Sequence, residues 1–300
     1  MKKLIVALLI IALLIPSSMV LASSGAPGTW VSSINIQNPS SSDATVSLVF
    51  YNATGDVALT WPVPGVIPAG GFRTVYVPAA TPELPSGQYS VVASSTTPVN
   101  IIVNSSSTSP YTAGAYNGLL PTDVGTKLYF PGLYNNYYGF YSEMVIQNTS
   151  SLVANISIQF YGKTGAPEGA PYTHVIPVGA SAVFTLSELF PALPSGNSAT
   201  YSATVTSDVA IGGIANTWSA YMHGEYATYN GSADGALEAY VPSLLNKYYG
   251  FQTALSIQNV DTAPATVTVT YSNGHTVTKT IDPNTKAELI QPNDPDLPSG

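Results

Sequence analysis

The stretch Ser33-Ile34-Asn35-Ile36-Gln37-Asn38 decides the organisation of this chain, because it occurs three times in related form. Its relatives are Glu143-Met144-Val145-Ile146-Gln147-Asn148 and Ala254-Leu255-Ser256-Ile257-Gln258-Asn259. The Ile-Gln-Asn tripeptides are 110 and 111 residues apart. A period of about a hundred residues predicts one domain per repeat rather than a solenoid coil, since a segment of that length can enclose its own core.

Other short motifs recur at about the same spacing. Leu84-Pro85-Ser86-Gly87 recurs twice, the last time at the end of the chain, and Phe50-Tyr51 recurs as Phe160-Tyr161 and Thr270-Tyr271. The third repeat therefore stops before the later part of the pattern. We divide the chain into a signal peptide (1–26), a first repeat (27–120), a second repeat with a lead-in (121–236) and a C-terminally truncated third repeat (237–300).

Short runs rich in Val, Ile, Thr and aromatic residues predict the strands of each repeat. In Thr45 to Tyr51, the side chains of Val46, Leu48 and Phe50 fall on one face of a strand. This alternation indicates that one face is buried and the other is exposed to solvent. The only helical pattern is a turn at Ser187 to Phe190. An all-β fold of six or seven strands per repeat follows. The strands predicted in the first repeat are Trp30–Asn38, Thr45–Tyr51, Val57–Trp61, Phe72–Val77, Tyr89–Ser94 and Asn100–Asn104.

The repeats differ at their edges. A lead-in at Tyr129 to Phe140 recurs at Tyr240 to Phe251 but has no counterpart in the first repeat, so it is either part of a junction or an added first strand. Ala115-Tyr116-Asn117 corresponds to Thr228-Tyr229-Asn230. We interpret these segments as closing strands, with a linker as the alternative.

This pattern resembles the tandem immunoglobulin-like domains of secreted prokaryotic surface proteins, such as adhesin stalks and surface-layer proteins. The resemblance implies tandem immunoglobulin-like β-sandwich domains, of which the third is incomplete. It also implies a structural or adhesive role at the cell surface, although many unrelated proteins share such sandwiches.

The N-terminus has the order of a secretory signal peptide. Lys2 and Lys3 precede an apolar run from Leu4 to Ile15, which is short for a membrane span, and small residues follow it. Cleavage after Ala22 or Ala26 is expected, with a retained N-terminal anchor as the alternative. No transmembrane span is expected in the mature chain.

Composition limits the function classes further. The chain has no cysteine, which excludes disulfides, thiol catalysis and thiolate metal sites. Only 8% of its residues are charged; without Lys2 and Lys3, six basic residues face sixteen acidic ones, giving a net charge of −10. Nucleic acid is therefore not expected as a partner, because phosphates need clustered Lys and Arg.

No catalytic or metal site is predicted. The three histidines, His174, His223 and His275, occupy unrelated positions in the repeat, and the chain has no Gly-x-Ser-x-Gly elbow. The carboxylates of Glu225, Asp234 and Glu238 fit solvated turns, and we expect no cofactor. Asn293, Asp294 and Asp296 are the best calcium candidates, but the other two repeats lack them.

Tyrosines are the most suggestive candidates for a ligand or interface surface. Such rings either stack on sugars or pack at an interface, and we favour packing against the preceding domain. These residues are Tyr134, Tyr137, Tyr138, Tyr141, Tyr248 and Tyr249. Asparagines that head an Asn-x-Ser/Thr triplet, the acceptor pattern of N-glycosylation, are Asn52, Asn104, Asn148, Asn155 and Asn230.

The sequence thus predicts a secreted, non-enzymatic surface protein that forms a stalk, fibre or surface-layer segment. Its expected partners are copies of itself or cell-surface glycans. One alternative is a set of accessory or carbohydrate-binding domains of a larger secreted enzyme. Another, if Gly300 is the natural C-terminus, is a fibre subunit that polymerises by strand donation, because the third repeat would then lack counterparts of Tyr89–Ser94 and Asn100–Asn104.

Overall fold

The computed structural model describes residues 25–109, 111–189, 193–220 and 225–297, and antiparallel β-strands form almost all of its regular structure. The all-β prediction is confirmed. No helix within these ranges is long and apolar enough to cross a membrane. Residues 1–24 of the predicted signal peptide, Phe190 and His223 lie outside the described residues.

The first repeat contains seven strands in two sheets, in the orders β4–β1–β6–β7 and β3–β2–β5. All six strands predicted there are confirmed to within a few residues, and the closing segment is a strand. These elements are β1 (Trp30–Gln37), β2 (Val46–Tyr51), β3 (Val57–Pro62), β4 (Phe72–Tyr76), the short helix α1 (Val77–Ala80), β5 (Ser90–Ser95), β6 (Asn100–Thr108) and β7 (Tyr111–Asn117).

The strand order differs from that of immunoglobulin domains. In those domains, strands A, B, E and D share one sheet and C, F and G the other, whereas here β1 pairs with β4 and β6 and never with β2. The reason lies in the crossing after β1, where the side chain of Asn38 binds the carbonyls of Ser42 and Ile67. This crossing sends β2 to the opposite sheet.

The second repeat forms one seven-stranded sheet, whose order is β11–β10–β13–β8–β9–β12 with β14 beside β13. The lead-in supplies β8 and the start of β9, and β8 pairs with β13, so the lead-in adds a strand. The elements are β8 (Gly125–Tyr137), β9 (Phe140–Asn148), β10 (Ala154–Tyr161), β11 (Pro167–Ile176), β12 (Ser181–Thr185), α2 (Leu186–Leu189), β13 (Thr200–Ser219) and β14 (Tyr226–Asn230).

One long strand in the second repeat replaces two strands of the first. β13 pairs with β10 near its start and with β9 and β14 near its end. In the first repeat the segment that corresponds to β13 is divided into two strands, β5 and β6, and Pro98 lies between them. Proline lacks the N–H that a ladder needs, whereas its counterpart Ala210 allows β13 to continue.

The third repeat has three two-stranded sheets. Among the described residues β18 pairs with β19 alone, whereas its counterparts β2 and β10 each have two neighbours. The elements are β15 (Asn246–Tyr248), β16 (Phe251–Gln252), β17 (Ala254–Gln258), β18 (Ala265–Thr270), β19 (Thr276–Ile281), β20 (Lys286–Ile290) and a 3₁₀ turn (Gln291–Asn293).

Each of the first two repeats has its own core. Val46, Leu48 and Phe50 are buried in the first, as the alternation predicted, and Ile156 and Ile158 take the same part in the second. In the third repeat the lead-in residue Val241, the counterpart of the buried Phe130, is 47% exposed. Within the described residues, this apolar position of the third repeat is therefore not part of a core like that around Phe130.

The structure shifts one predicted correspondence by a residue. Ala44, Ala154 and Ala265 are paired with Ile67, Ile176 and Ile281 respectively, and they fix the register of β2, β10 and β18. Counted from these alanines, Tyr271 takes the place of Phe50 and not of Tyr51. The proposed match of Phe50-Tyr51 with Thr270-Tyr271 is wrong, because the hairpin of the third repeat is shorter.

Candidate functional site

A buried asparagine closes each Ile-Gln-Asn motif. Asn38, Asn148 and Asn259 are at most 5% exposed. Each amide nitrogen donates to the carbonyl four residues on and to the carbonyl of the paired isoleucine, over 2.7 to 3.0 Å. Each Oδ1 accepts the backbone N–H two residues on. The motif therefore recurs because it satisfies buried backbone groups, which are costly to leave unpaired.

The same asparagines hold a turn at one end of each repeat. Their backbone N–H groups donate to the carbonyls of Gly71, Ala180 and Thr285. The residue before each of these is left-handed, with φ of 69° at Gly70, 74° at Gly179 and 61° at Asn284. Glycine and asparagine are the residues that tolerate this conformation. We call residues 68–71, 177–180 and 282–285 the head turns.

A tight hairpin lies at the other end of each repeat. It spans residues 52–56, 162–166 and 271–275, and in each copy the backbone N–H of the first residue donates to the carbonyl of the last. A glycine with positive φ takes the fourth position, at Gly55, Gly165 and Gly274. We call these segments the tail hairpins.

The tail hairpin of the first repeat contacts the head turn of the second. A Cβ atom at Gly55 would lie 2.8 Å from the carbonyl oxygen of Val178, and one at Gly179 would lie 2.7 Å from the ring of Tyr51. The hydroxyl of Ser90 donates to the carbonyl of Gly179. The absence of side chains at both glycines thus allows the two backbones to approach.

The second junction uses the counterparts of these residues. A Cβ at Gly165 would lie 2.7 Å from the carbonyl oxygen of Pro283. Ser202, which follows a tyrosine as Ser90 does, donates its hydroxyl to the carbonyl of Asn284 at 3.0 Å. Both junctions therefore join a tail hairpin and a serine of one repeat to the head turn of the next.

The first two repeats also meet at a second place, between β7 and β14. The rings of Trp30 and Tyr226 have centroids 4.6 Å apart. Asn230 donates its amide to the carbonyl of Asn117 at 2.9 Å. A Cβ at Gly114 would lie 2.5 Å from the ring of Tyr226. Two separate contact zones oppose rotation of one repeat about the other.

A buried polar cluster adds to the second junction. Lys286 Nζ lies 2.8 Å from Glu288 Oε1, which also accepts the hydroxyl of Tyr134 at 2.9 Å and that of Thr200 at 3.1 Å. Burial lowers the pKa of Lys286. Burial by itself would raise the pKa of Glu288. The charge of Lys286 and these hydrogen bonds have the larger combined effect, so the pKa of Glu288 is lowered. The acid is therefore held ionised at the junction.

Glu143 is a buried acid beside the first junction. It is 7% exposed, its Oε1 accepts the amide of Asn216 at 2.9 Å, and its Oε2 has no hydrogen-bond partner among the described residues. A Cβ at Gly25 would lie 2.5 Å from that Oε2, so the backbone just before the first repeat lies against it. Burial raises the pKa of Glu143, and the charge of Glu188 adds to the rise.

Glu143→Gln is expected to stabilise the protein at neutral pH. An acid whose folded pKa is raised contributes stability below its unfolded pKa of about 4.3 and loses it as pH rises through the folded pKa. Each unit by which the folded pKa exceeds the unfolded pKa lowers the free energy of unfolding at high pH by about 1.4 kcal/mol. In thermal unfolding between pH 4 and pH 8, the unfolding temperature of Glu143→Gln should increase relative to that of the wild type as the pH increases. The exposed Glu83→Gln serves as the control, and equal curves for both variants would contradict the burial argument.

The predicted tyrosines do not form one surface. Tyr134 contacts Lys286 and Glu288 of the third repeat, so the prediction that it packs against the preceding repeat is wrong. Its ring stacks on Tyr137 with centroids 5.4 Å apart, and Tyr141 stacks on Trp218 within the second repeat. The reason is that β8 lies on the side of the following repeat. The exposed members of the set are Tyr138, Tyr248 and Tyr249.

The five glycosylation candidates occupy different environments. Asn148 is fully buried and its amide is bound to three carbonyls, so it does not fit an exposed acceptor. Asn230 is bound across the first junction. Asn52 accepts hydrogen bonds within the tail hairpin, and Asn155 is exposed and bonded to Asp208. Asn104 lies in β6 and is half-buried.

The other polar candidates are dispersed. Nε2 of His275 lies 2.9 Å from Asp294, and with Asp296 these residues form the one group of three that could hold a metal within the described ranges. Asn293 lies in the adjoining 3₁₀ turn. His174 stacks on Tyr172 in β11, and burial lowers its pKa. Residues 225, 234 and 238 are exposed.

Comparisons with known proteins give no family. No protein-family model matches the chain, and no curated protein matches it. Among solved structures, the chain is similar to the one titled "Crystal Structure of Thermotoga maritima 1070", with a TM-score of 0.28 and 21% identity over 37% of this chain and 95% of that one. It is also similar to the Anabaena sensory rhodopsin transducer, with a TM-score of 0.26 and 22% identity over 29% of this chain and 90% of that one.

Proposed function

We propose that this chain is a secreted, non-enzymatic surface protein whose β-sandwich repeats form a stiff stalk, fibre or surface-layer segment. The observation that carries the proposal is the reuse of the junction: Ser90 and Ser202 bind the head turns of two successive repeats through corresponding contacts. An array whose junctions repeat can transmit force and hold a fixed spacing. The repeats have the size of immunoglobulin-like domains but their own strand order.

The chemistry of the chain supports a structural role outside the cell. Contacts at the junctions are short-range packing, hydrogen bonds between neutral groups and, at the second junction, hydrogen bonds to the buried ion pair of Lys286 and Glu288. Salt screens such short or buried contacts little. The chain needs no reducing or oxidising compartment, since it has no cysteine. The N-terminal pattern of Lys2, Lys3 and the following apolar run supports export.

Surface exposure can be tested on intact cells that produce the protein. External protease should release peptides of the first two repeats without cell lysis, and N-terminal sequencing of the released protein should begin between Ser23 and Gly28. A cytoplasmic marker protein serves as the control for lysis. Protein that keeps Met1 and is protected until the cells are broken would contradict the proposal.

Strand donation is a second candidate, on the condition that no further segment of the same chain pairs with β18. Val267 and Val269 face inward from this strand but are only half-buried, and among the described residues β18 pairs with β19 alone. An extended segment from another molecule could pair there. Association that survives a change at the head turn of the first repeat would favour this mode.

The carbohydrate-binding alternative rests on the exposed rings. Tyr138 and Tyr249 are 58% and 85% exposed, and both have the unusual positive φ of 48° at the tip of a hairpin. Glycan-array binding that is lost in Tyr138→Ala and Tyr249→Ala would support that alternative, including accessory domains of a larger enzyme. Unchanged binding would remove these rings from the site.

A further inference from the structure

Three side chains of types that bind metal ions meet beside the tail hairpin of the third repeat. Nε2 of His275 lies 2.9 Å from Oδ2 of Asp294. Together with a carboxylate oxygen of Asp296, these ligand atoms lie within 4.8 Å of one another. The imidazole sets this group apart from a patch of exposed carboxylates, because nitrogen ligands suit zinc and other transition metals, whereas calcium takes oxygen ligands.

The surrounding residues hold the ligands in place. The ring of Tyr271 stacks on that of His275 with centroids 5.6 Å apart, and the hydroxyl of Tyr271 donates to Oε1 of the buried Gln291 at 2.8 Å. The backbone N–H of Asp296 donates to Oδ1 of Asp294 at 3.0 Å, which turns the chain back toward the histidine. Ligands that are already oriented lose less conformational freedom when an ion binds.

The three residues come from two separate parts of the third repeat. His275 ends the hairpin between β18 and β19, whereas Asp294 and Asp296 follow the 3₁₀ turn after β20. Among the described residues, β18 with β19 and β17 with β20 form two distinct two-stranded sheets. One ion bound by both parts would connect these sheets, and such binding contributes directly to the free energy of folding.

We propose that His275, Asp294 and Asp296 bind one divalent transition-metal ion of the zinc class, with water completing the coordination. Zinc binds histidine nitrogen and carboxylate oxygen at about 2.0 to 2.2 Å, so two ligand atoms 2.9 Å apart fit around a single ion. Asp296 is exposed, so its side chain can turn toward the ion at little cost. This site goes beyond the structural role proposed above and does not depend on it.

The corresponding positions of the other repeats do not carry the same ligands. The tail hairpins of the first two repeats end in Asp56 and Ala166 where the third ends in His275. The carboxylate of Asp56 instead accepts the hydroxyl of Thr54 at 2.7 Å. His275 and Asp294 are 19 residues apart in sequence, so no short ligand spacing reveals the site. An ion bound here would therefore stabilise the third repeat and leave the first two unchanged.

Calorimetric titration of the full chain with ZnCl2 tests the site directly. The metal-free wild type should bind one zinc ion per chain. His275→Ala and Asp296→Asn should each weaken zinc binding roughly tenfold or more, since even groups behind a metal ligand have effects of that size. The matched controls are His174→Ala, which removes an imidazole in β11, and Asp282→Asn, which removes an exposed carboxylate of the third repeat. Both should bind zinc like the wild type.

Hydrogen exchange locates the bound ion. ZnCl2 should slow amide exchange of the wild type in residues 271–275 and 291–297 but not in residues 52–56. Asp296→Asn should abolish this slowing, and it changes only an exposed side chain, so it carries the test even if His275→Ala unfolds the third repeat. A wild type that does not bind zinc, tighter binding of calcium from CaCl2, unchanged zinc binding in Asp296→Asn, or an equal loss in Asp282→Asn would each overturn the proposal. Export plays no part in these measurements, so failure here leaves the surface proposal standing.

Discussion

Replacing Asn148 with alanine is expected to destabilise the second repeat by about 3 to 5 kcal/mol, because several buried backbone groups lose their partner. The side chain is fully buried, donates to the carbonyls of Leu152, Ile176 and Pro177 and accepts from Ser150. Asn148→Asp, although isosteric, should be at least as harmful, because it places carboxylate oxygen against those carbonyls.

Denaturant unfolding measures this effect. Trp218 is 7% exposed and lies in the second repeat, so its fluorescence reports that repeat when Trp30 and Trp61 are changed to Phe. Asn155→Ala is the control, since that residue is exposed and binds only Asp208 through its side chain; it should cost less than about 1 kcal/mol. A loss below 1 kcal/mol in Asn148→Ala would show that the network does not hold the repeat together.

Placing a side chain at Gly55 is expected to separate the first two repeats without unfolding either. Gly55→Asn keeps a residue that tolerates positive φ, so backbone strain is small, but its Cβ would clash with Pro177 and Val178. The distance between spin labels at Thr45→Cys and Asn155→Cys, measured by pulsed electron resonance, should change from a narrow to a broad distribution.

Gly70→Asn is the control for that experiment. It lies in the same repeat, has a similar φ of 69° and has open space around its Cβ. Its counterpart in the third repeat is already an asparagine, Asn284. A narrow distribution in Gly55→Asn, or a broad one in Gly70→Asn, would mean that the packing of this hairpin does not fix the junction.

Much of each repeat could be predicted from the sequence, because its signals are local. The alternation in Val46, Leu48 and Phe50 places a strand with one buried face, and the recurring Asn38 marks where that pattern begins. Strand order could not be predicted, since it depends on which carbonyls Asn38 reaches across the repeat. Pairing partners far apart in sequence leave no local signal.

The junctions could have been found in part. Ser90 and Ser202 both follow a tyrosine, and glycines recur at Gly55, Gly165 and Gly274, but recurrence alone does not tell a turn from a contact. The cluster around Glu288 had no repeating signal, because Lys286 and Glu288 correspond to Phe72 and Thr74 in the first repeat. The tyrosine prediction identified residues at a junction but assigned Tyr134 to the wrong neighbour.

The most direct test compares the two junctions in the same molecule. Thr45, Asn155 and Thr266 are exposed and hold corresponding positions, one after each of Ala44, Ala154 and Ala265. Spin labels on 45 with 155, and on 155 with 266, should give two narrow distance distributions with similar means, because corresponding contacts form both junctions. Broad distributions, or two clearly different means, would contradict a stiff array with a repeated junction.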